Sequence, residues 1–235
     1  MRTLCIIPAR GGSKRIPRKN IRPLHGRPLL GWAVAAAREA GCFDEVMVST
    51  DDAEVATLAQ DCGAAVPFPR LPATATDHAT TTDVLREVLA GYASRGLGSF
   101  DLVCCAYPTA ALVQPEHLRT GRDLLLSDPA LDSVMAVQVY RHPIERAYRL
   151  RNGFVQAVDP QQHAVRTQDL LPAYHDAGQF YWFRAARFAA TGKVLGDRCA
   201  PVVLEPWEAV DLDEEADWQF LERLSATAVA AGGVR

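Results

Sequence analysis

Apolar runs and helix-like repeats alternate along the first half of the chain. The run Thr3–Pro8 predicts a buried strand, and Pro28–Ala40 predicts a helix with one apolar face that ends at Gly41. The pattern continues with strands predicted at residues 45–49, 65–68 and 101–106 and helices predicted at residues 52–62 and 84–92. Such alternation predicts an α/β fold, with a mostly parallel sheet covered by helices on both faces.

The second half of the chain is less regular. Strands are predicted at residues 133–139, 178–184 and 202–204, and a closing helix at residues 214–226. Asn152-Gly153 is the strongest hairpin signal, because both residue types adopt positive φ readily and strand-like segments flank them. We expect residues 141–171 to form a small arm that leaves the main sheet, within a single domain spanning residues 1–235.

The composition limits the class of protein. The 235 residues are 49% hydrophobic, which suffices for one substantial core. No apolar run approaches the roughly 20 residues of a membrane-spanning helix, and the pattern of a secretory signal is missing. The six cysteines form no C-x-x-C pair and no Cys/His spacing suited to zinc. We therefore expect a cytoplasmic protein with reduced cysteines and no membrane partner.

Positive charge is concentrated at the start of the chain. Nine of the 25 Lys and Arg residues lie within residues 1–38, and all 28 Asp and Glu residues come later. The whole chain nevertheless has a formal net charge of -3. This segregation indicates a focused site for an anion rather than general attraction to nucleic acid.

The cation loop, residues 10–20, follows the first predicted strand directly. Besides Gly11-Gly12 and the hydroxyl of Ser13, it contains five cations that can pair with phosphate oxygens: Arg10, Lys14, Arg15, Arg18 and Lys19. The loop matches neither G-x-x-x-x-G-K-[ST] nor G-x-G-x-x-G. A solvated basic loop and a nucleic-acid arm are the alternatives, but no aromatic residue for base stacking lies between Thr3 and Leu30. The loop therefore favours a small-molecule polyphosphate.

Asp211-Leu212-Asp213 places two carboxylates on one face of an extended segment. Such a pair suits Mg²⁺, which takes a few carboxylates together with substrate phosphates. Acidic residues before a helix also serve as caps, and Glu214 and Glu215 follow directly. Both readings stay open for the pair alone, and the cation loop favours the metal because phosphate charge needs neutralising.

The segment Asp176–Trp182 combines a strand-like aromatic run with one primary amide, that of Gln179. An amide among aromatic side chains is typical of a site that recognises ligand hydroxyl or amide groups. A structural glutamine with satisfied hydrogen bonds is the equally plausible alternative. No nucleophile with the context of a covalent catalyst is present.

Several segments together resemble one known family, the CMP-sialic acid synthetases or acylneuraminate cytidylyltransferases. They are IIPARGGSKRIPRKN at residues 6–20, residues 26–30, residues 49–51, Thr109, and Asp211-Leu212-Asp213. Within the family, residues 143–147, 166–170 and 173–182 are most similar to the pseudaminic acid branch. Sialic acid enzymes more often have Asn-Gly where this chain has Ala177-Gly178.

The resemblance implies a nucleotidyltransferase with a Rossmann-like, three-layer nucleotide-sugar transferase fold. The implied reaction is CTP plus a nine-carbon 2-keto acid sugar giving a CMP-sugar, for surface glycans or flagellin, and pyrophosphate. The runner-up is the same reaction on N-acetylneuraminic or legionaminic acid, or on a related eight-carbon acid. A non-catalytic module that binds sugar nucleotides is the alternative from another class. A homodimer joined through the hairpin arm is also implied.

The resemblance also implies roles for individual residues. Nucleotide contacts are implied for Arg10, Ser13, Lys14, Lys19, Asn20, Arg70, Asp77, Thr81, Tyr107 and Thr109. Sugar contacts are implied for Gln179, Phe180, Tyr181 and Arg166. Asp211 and Asp213 would bind Mg²⁺, and the catalytic roles would fall to Lys19, Arg10 and Asp211.

Overall fold

A computed structural model describes residues 1–230 of the chain, with side chains described to residue 226. The strands are β1 (Thr3–Pro8), β2 (Pro23–Leu24), β3 (Arg27–Pro28), β4 (Glu45–Ser49), β5 (Leu102–Ala106), β6 (Ser133–Val139), β7 (Tyr148–Arg151), β8 (Phe154–Ala157), β9 (Tyr174–Arg184) and β10 (Cys199–Leu204). The α-helices are α1 (Leu29–Glu39), α2 (Ala53–Asp61), α3 (Thr81–Ser94), α4 (Pro115–Ser127), α5 (Ala185–Thr191) and α6 (Glu215–Ala230). Across this part of the chain, no helix is long and apolar enough to cross a membrane.

Six strands form the central sheet in the order β10-β6-β9-β5-β1-β4. β1 is parallel to β4 and β5, β10 is parallel to β6, and β9 is antiparallel to both of its neighbours. The prediction of a mostly parallel α/β sheet is confirmed. In such a sheet the carboxyl ends of the parallel strands share one edge, where ligands commonly bind.

Alternate residues of the strands face two separate core layers. Ile7 and Trp182 pack with buried residues of α1 and α4 on one face, whereas Ile6 and Phe183 pack with those of α3 and α5 on the other. This alternation follows from the two-residue period of a strand, and it explains why both β1 and β5 are apolar throughout. The sheet is therefore the middle of three layers.

Several boundaries differ from the prediction. Residues 65–68 do not form a strand, because Pro67 and Pro69 supply no N–H and only one bridge, Met47 to Ala65, is present. Two helices, α4 and α5, are not anticipated from the sequence. α4 does carry the signals of a helix, with Pro115 at its start.

The predicted hairpin is present. β7 and β8 pair with each other in a separate two-stranded sheet. Asn152 and Gly153 have φ values of 51° and 81°, as a tight hairpin turn requires. The hairpin exposes large apolar side chains, with Leu150 at 75% and Phe154 at 73% of full exposure.

Candidate active site

A cavity of about 620 Å³ lies at the carboxyl ends of β1 and β5. Its walls are the cation loop, the loop between residues 70 and 81, residues 107–109 and the acidic pair Asp211 and Asp213. All ten residues predicted to contact a nucleotide and both predicted metal ligands line this one cavity. The sequence analysis missed Thr74 and Thr76, which also line it, although the threonine-rich run before α3 was a usable signal.

Buried side chains fix the course of the cation loop. Asn20 is only 8% exposed, and its Nδ2 donates a hydrogen bond to the carbonyl oxygen of Arg10 at 3.0 Å. Ile16 is fully buried in a cluster that includes Leu212 and Trp218. These contacts tie the ends and the middle of the loop. Four of its five cations line the cavity, whereas Arg18 pairs with Asp52 and Glu54.

Gly11 allows the cation loop to approach the end of β4. A Cβ atom at this position would lie 2.5 Å from Oδ2 of Asp52, which is closer than any side chain allows. The N–H of Gly11 donates to Oδ1 of Asp51 at 3.1 Å, and Asp52 caps α2. Gly11 is therefore required by a protein contact, whereas Gly12 has open space around its Cβ position.

Asp77 joins two cations of the loop. Its Oδ1 lies 2.6 Å from Nη1 of Arg10, and its Oδ2 accepts a hydrogen bond from Lys14. Hydrogen bonds from Lys14 and then Arg10 lower the pKa of the Asp77 carboxyl to about 2. Asp77 thus lies where an anionic ligand of these cations would compete with it.

Lys19 connects the cation loop to the acidic pair. Its Nζ donates to the carbonyl oxygen of Leu212. Burial lowers the pKa of Lys19, and the negative charge of Asp213 opposes that shift. Asp213 also forms an ion pair with Arg15 at 2.8 Å. The two ends of the chain therefore meet in the cavity with opposite charges.

The acidic pair fits a magnesium ion in its donor chemistry. Both carboxylates line the cavity, and Asp211 has no hydrogen-bond or ion-pair partner among the described residues. No group of three or more His, Cys, Asp and Glu side chains in residues 1–226 is arranged to bind a metal. Two carboxylates suit Mg²⁺, which takes its remaining ligands from phosphates and water. The metal itself stays a prediction.

Comparison with known proteins establishes the family. The sequence profile of the Cytidylyltransferase family matches residues 4–201. The chain is a cytidylyltransferase. It is 36% identical to the pseudaminic acid cytidylyltransferase of Campylobacter jejuni subsp. jejuni serotype O:2, over 95% of this chain and 96% of that protein. It is 31% identical to the CMP-N,N'-diacetyllegionaminic acid synthase of Legionella pneumophila, over 95% and 96% of the two chains.

A solved structure supports the fold of this cytidylyltransferase. The CMP:2-keto-3-deoxy-manno-octonic acid synthetase complexed with CTP has a TM-score of 0.70 to this chain. The superposition covers 97% of this chain and 99% of that chain at 19% identity. The predicted family and the three-layer fold are confirmed, and the family makes this chain a nucleotidyltransferase.

The four predicted sugar-contact residues of this cytidylyltransferase lie outside the cavity just described. Gln179 and Phe180 are 2% and 0% exposed, and Tyr181 is 8% exposed. Arg166 is exposed on the arm. Phe180 packs into the core together with Trp182, so it has no surface that a sugar could contact. Its predicted sugar contact is replaced by a core contact, because β9 is buried on both faces.

Tyr181 reaches the nucleotide cavity of the cytidylyltransferase through Tyr107. The two rings meet edge to face with centroids 5.6 Å apart, and the Tyr107 hydroxyl lies 3.2 Å from the Thr81 hydroxyl. The Tyr181 hydroxyl donates to Asp176 at 2.5 Å. Burial raises the pKa of both tyrosines, so they stay protonated. Asp176 therefore connects to the cavity through the two tyrosines.

Proposed function

We propose that this chain transfers CMP from CTP to the anomeric hydroxyl of a nonulosonic acid, with pseudaminic acid as the favoured substrate, and releases pyrophosphate. One observation carries the proposal: a single cavity combines the cation loop with Asp211 and Asp213. Phosphoryl transfer needs both cations and a metal-binding pair. The 36% identity to a pseudaminic acid cytidylyltransferase supports the choice of sugar.

The cavity supplies contacts for each part of the nucleotide. Arg10, Lys14 and Lys19 bind the triphosphate, aided by Ser13 and Asn20. Arg70, Thr81, Tyr107 and Thr109 contact the remainder of the nucleotide, whereas Asp77 holds Arg10 and Lys14 until the phosphates displace it. The guanidinium of Arg70 is held in place by the carbonyl of Ser49 at 2.5 Å, and burial lowers its pKa. A positioned cation of this kind costs little entropy when the ligand binds.

The reaction is an in-line displacement at the α-phosphorus of CTP. The sugar hydroxyl oxygen forms a bond to this phosphorus while the bond to the β-phosphate oxygen breaks, and pyrophosphate leaves. Arg10 and Lys19 stabilise the charge that develops on the phosphate oxygens. Asp211, whose carboxylate has no hydrogen-bond or ion-pair partner among the described residues, accepts the proton of the attacking hydroxyl on one oxygen and leaves the other for the metal. Mg²⁺ bound by Asp211 and Asp213 would neutralise phosphate charge and acidify that hydroxyl.

One alternative sugar has direct support. The Legionella relative is a CMP-N,N'-diacetyllegionaminic acid synthase and is 31% identical over 95% of this chain. Legionaminic acid is therefore the second candidate substrate. Discrimination between such sugars depends on a few polar contacts, each of which changes kcat/KM by a limited factor.

The exposed apolar side chains of the arm support a homodimer. The need for CTP supports a cytoplasmic location, because CTP is available there. Leu150, Phe154 and Val155 are at least 70% exposed on the hairpin, although hydrophobic side chains of this size are normally covered. A second copy that covers them would also bring its own arm to the first copy, as two-fold symmetry requires.

A pyrophosphate-release assay tests the function. Purified enzyme is given CTP and Mg²⁺ with pseudaminic, legionaminic, N-acetylneuraminic or the eight-carbon acid, and each reaction is repeated with EDTA. We expect release with CTP and pseudaminic acid only when Mg²⁺ is present. Release with legionaminic acid alone would identify that acid as the substrate. No release with any acid would support a non-catalytic binding module.

A further inference from the structure

Gln179 lies in an irregular stretch of β9 beside the acidic loop, which we define as residues 205–213. Tyr181 pairs with Met135 and Asp176 pairs with Val137, so β9 contains a large bulge between these pairs. Gly178 within the bulge has a φ of 62°, and a Cβ atom there would lie 3.8 Å from Oδ1 of Asp211. Bulges commonly redirect side chains next to active sites.

The side chain of Gln179 bonds to the acidic loop and not to the cavity. Its Nε2 donates to the carbonyl oxygen of Glu208, three residues before Asp211. Its backbone carbonyl accepts a hydrogen bond from the N–H of Tyr107 at 2.8 Å. Gln179 therefore joins the acidic loop to the segment that contributes Tyr107 and Thr109 to the nucleotide cavity.

Other contacts hold the end of the acidic loop: Leu212 is buried, and Asp213 is bonded to Arg15 and Asp217. No strand or helix is formed between β10 and α6, so backbone pairing does not hold Asp211 and Asp213 in place. At its start, Glu208 closes a turn with Glu205, and near its end Leu212 accepts a hydrogen bond from Lys19. Two side chains of the central sheet thus bond to the loop: Gln138 to Glu205 at its start, and Gln179 to Glu208 nearer the acidic pair.

We propose that Gln179 is a positioning residue for the carboxylates of Asp211 and Asp213, and not a residue that selects the sugar. The inference rests on the proposed function, because it concerns the binding of the Mg²⁺ ion that the proposed reaction uses. Partners that orient metal ligands without touching the metal affect the affinity for the metal strongly. With only 2% of its surface exposed, Gln179 acts through Glu208 rather than on a substrate.

Gln179→Met tests the proposal, because methionine keeps the length of the side chain and removes the donor. Mn²⁺ binding to enzyme with CTP is measured by water-proton relaxation, and the half-saturating Mg²⁺ concentration and sugar KM are measured by pyrophosphate release. We expect the Mn²⁺ dissociation constant and the half-saturating Mg²⁺ concentration to rise about tenfold. The sugar KM should stay within about twofold of the wild-type value.

Gln138→Met is the matched control. Gln138 donates its amide to the carbonyl of Glu205 at 2.8 Å, but Glu205 directly follows Leu204, which already pairs with Gln138 in the sheet. We expect wild-type Mn²⁺ affinity for this control. If Gln179→Met does not fold, Gln179→Asn provides the same test, because its amide is too short to reach Glu208.

Two results would overturn the proposal. A raised sugar KM with unchanged Mn²⁺ affinity would show that Gln179 contacts the sugar. Wild-type values of both quantities would show that its side chain has no role in the reaction. Failure of the proposed function has a different signature. Wild-type enzyme would then release no pyrophosphate, while the Mn²⁺ titration would still report on Gln179.

Discussion

The cation loop and the hairpin arm differ in how many contacts each makes with the rest of the chain. The loop is tied down by buried Asn20 and Ile16 and by ion pairs to residues far along the chain. The arm has its own small sheet, and its large side chains are mostly exposed. From this difference we propose that one chain builds the nucleotide half of the site by itself, whereas the sugar half would depend on what covers the arm.

The physical basis of the comparison is the type of interaction in each region. Charged groups of the loop find partners within the same chain, such as Asp77 for Arg10 and Asp213 for Arg15. Apolar side chains of the arm, such as Leu150 and Phe154, stay 75% and 73% exposed although the two hairpin strands pair with each other. Burial of such surface would provide a driving force for association, at roughly 25 cal/mol for each Å² removed from water.

Loss of Asp211 should have the largest effect on the nucleotide half. We expect Asp211→Asn to lower kcat by roughly 10²–10³-fold, the range found when a group that stabilises transition-state charge is removed. The variant should fold normally, because Asp211 makes no hydrogen bond in the described structure. Pyrophosphate release and circular dichroism measure the two properties. Retained activity would exclude Asp211 from the metal site and from proton transfer.

Loss of Lys19 should have the second-largest effect on the nucleotide half. We expect Lys19→Ala to lower kcat/KM for CTP by about 10²-fold, because a partly buried cation in contact with phosphate cannot be replaced by water. The variant also loses the bond to the Leu212 carbonyl, so Mg²⁺ dependence should shift too. Steady-state kinetics over a range of CTP concentrations measure the effect, with Arg38→Ala on the far side of α1 as a control. Near-wild-type turnover would refute the phosphate role of the cation loop.

Much of the nucleotide half could be predicted from the sequence. Cations, glycines and carboxylates are unusual at the ends of apolar strands, and parallel strands bring those ends to one edge. That logic applies to Arg10, whereas Asp211 was grouped with it through metal chemistry and the family resemblance; both line one cavity although 200 residues separate them in the chain. It did not reveal why Gly11 is glycine, because the neighbour that requires it, Asp52, belongs to another strand–helix connection.

The sugar half could not be predicted in the same way. Gln179, Phe180 and Tyr181 are adjacent in sequence, but in a strand buried on both faces adjacency does not decide which side chain meets a ligand. Gly178 is a local signal for a bulge, but the contact between Gln179 and Glu208 joins residues 29 positions apart, which no local pattern encodes. The arm was predicted because a two-residue turn is a local signal.

Disruption of the arm should raise the KM for the sugar and leave the affinity for CTP unchanged. We expect Leu150→Asp with Phe154→Asp to convert a dimer into a monomer, because two charges in place of apolar side chains oppose burial. The sugar KM should rise about tenfold, while CTP affinity should stay within about twofold of wild type. Light scattering after gel filtration and calorimetry with CTP give the two measurements. A wild-type enzyme that is already monomeric would refute the proposed role of the arm.

The smallest effect should come from Asp77, which tests how well the nucleotide half is preorganised. We expect Asp77→Asn to tighten CTP binding about two- to fivefold, because the carboxylate competes with phosphate for Arg10 and Lys14 and exposed ion pairs are weak. The direct nucleotide contact predicted from the sequence would weaken binding instead. Calorimetry at two salt concentrations separates these results, since only the competing ion pair loses its influence at high salt.

The pH dependence of CTP binding checks the same contact. The pKa of Asp77 is lowered from 3.8 to about 2, so its ion pairs are complete above pH 4 and are lost only as the pH falls through about 2. Asp77 therefore contributes no pH dependence to CTP affinity between about pH 5 and 9. The ratio of wild-type to Asp77→Asn dissociation constants should be constant over that range. A ratio that changes near pH 6 would show that Asp77 titrates there and is not held between Arg10 and Lys14.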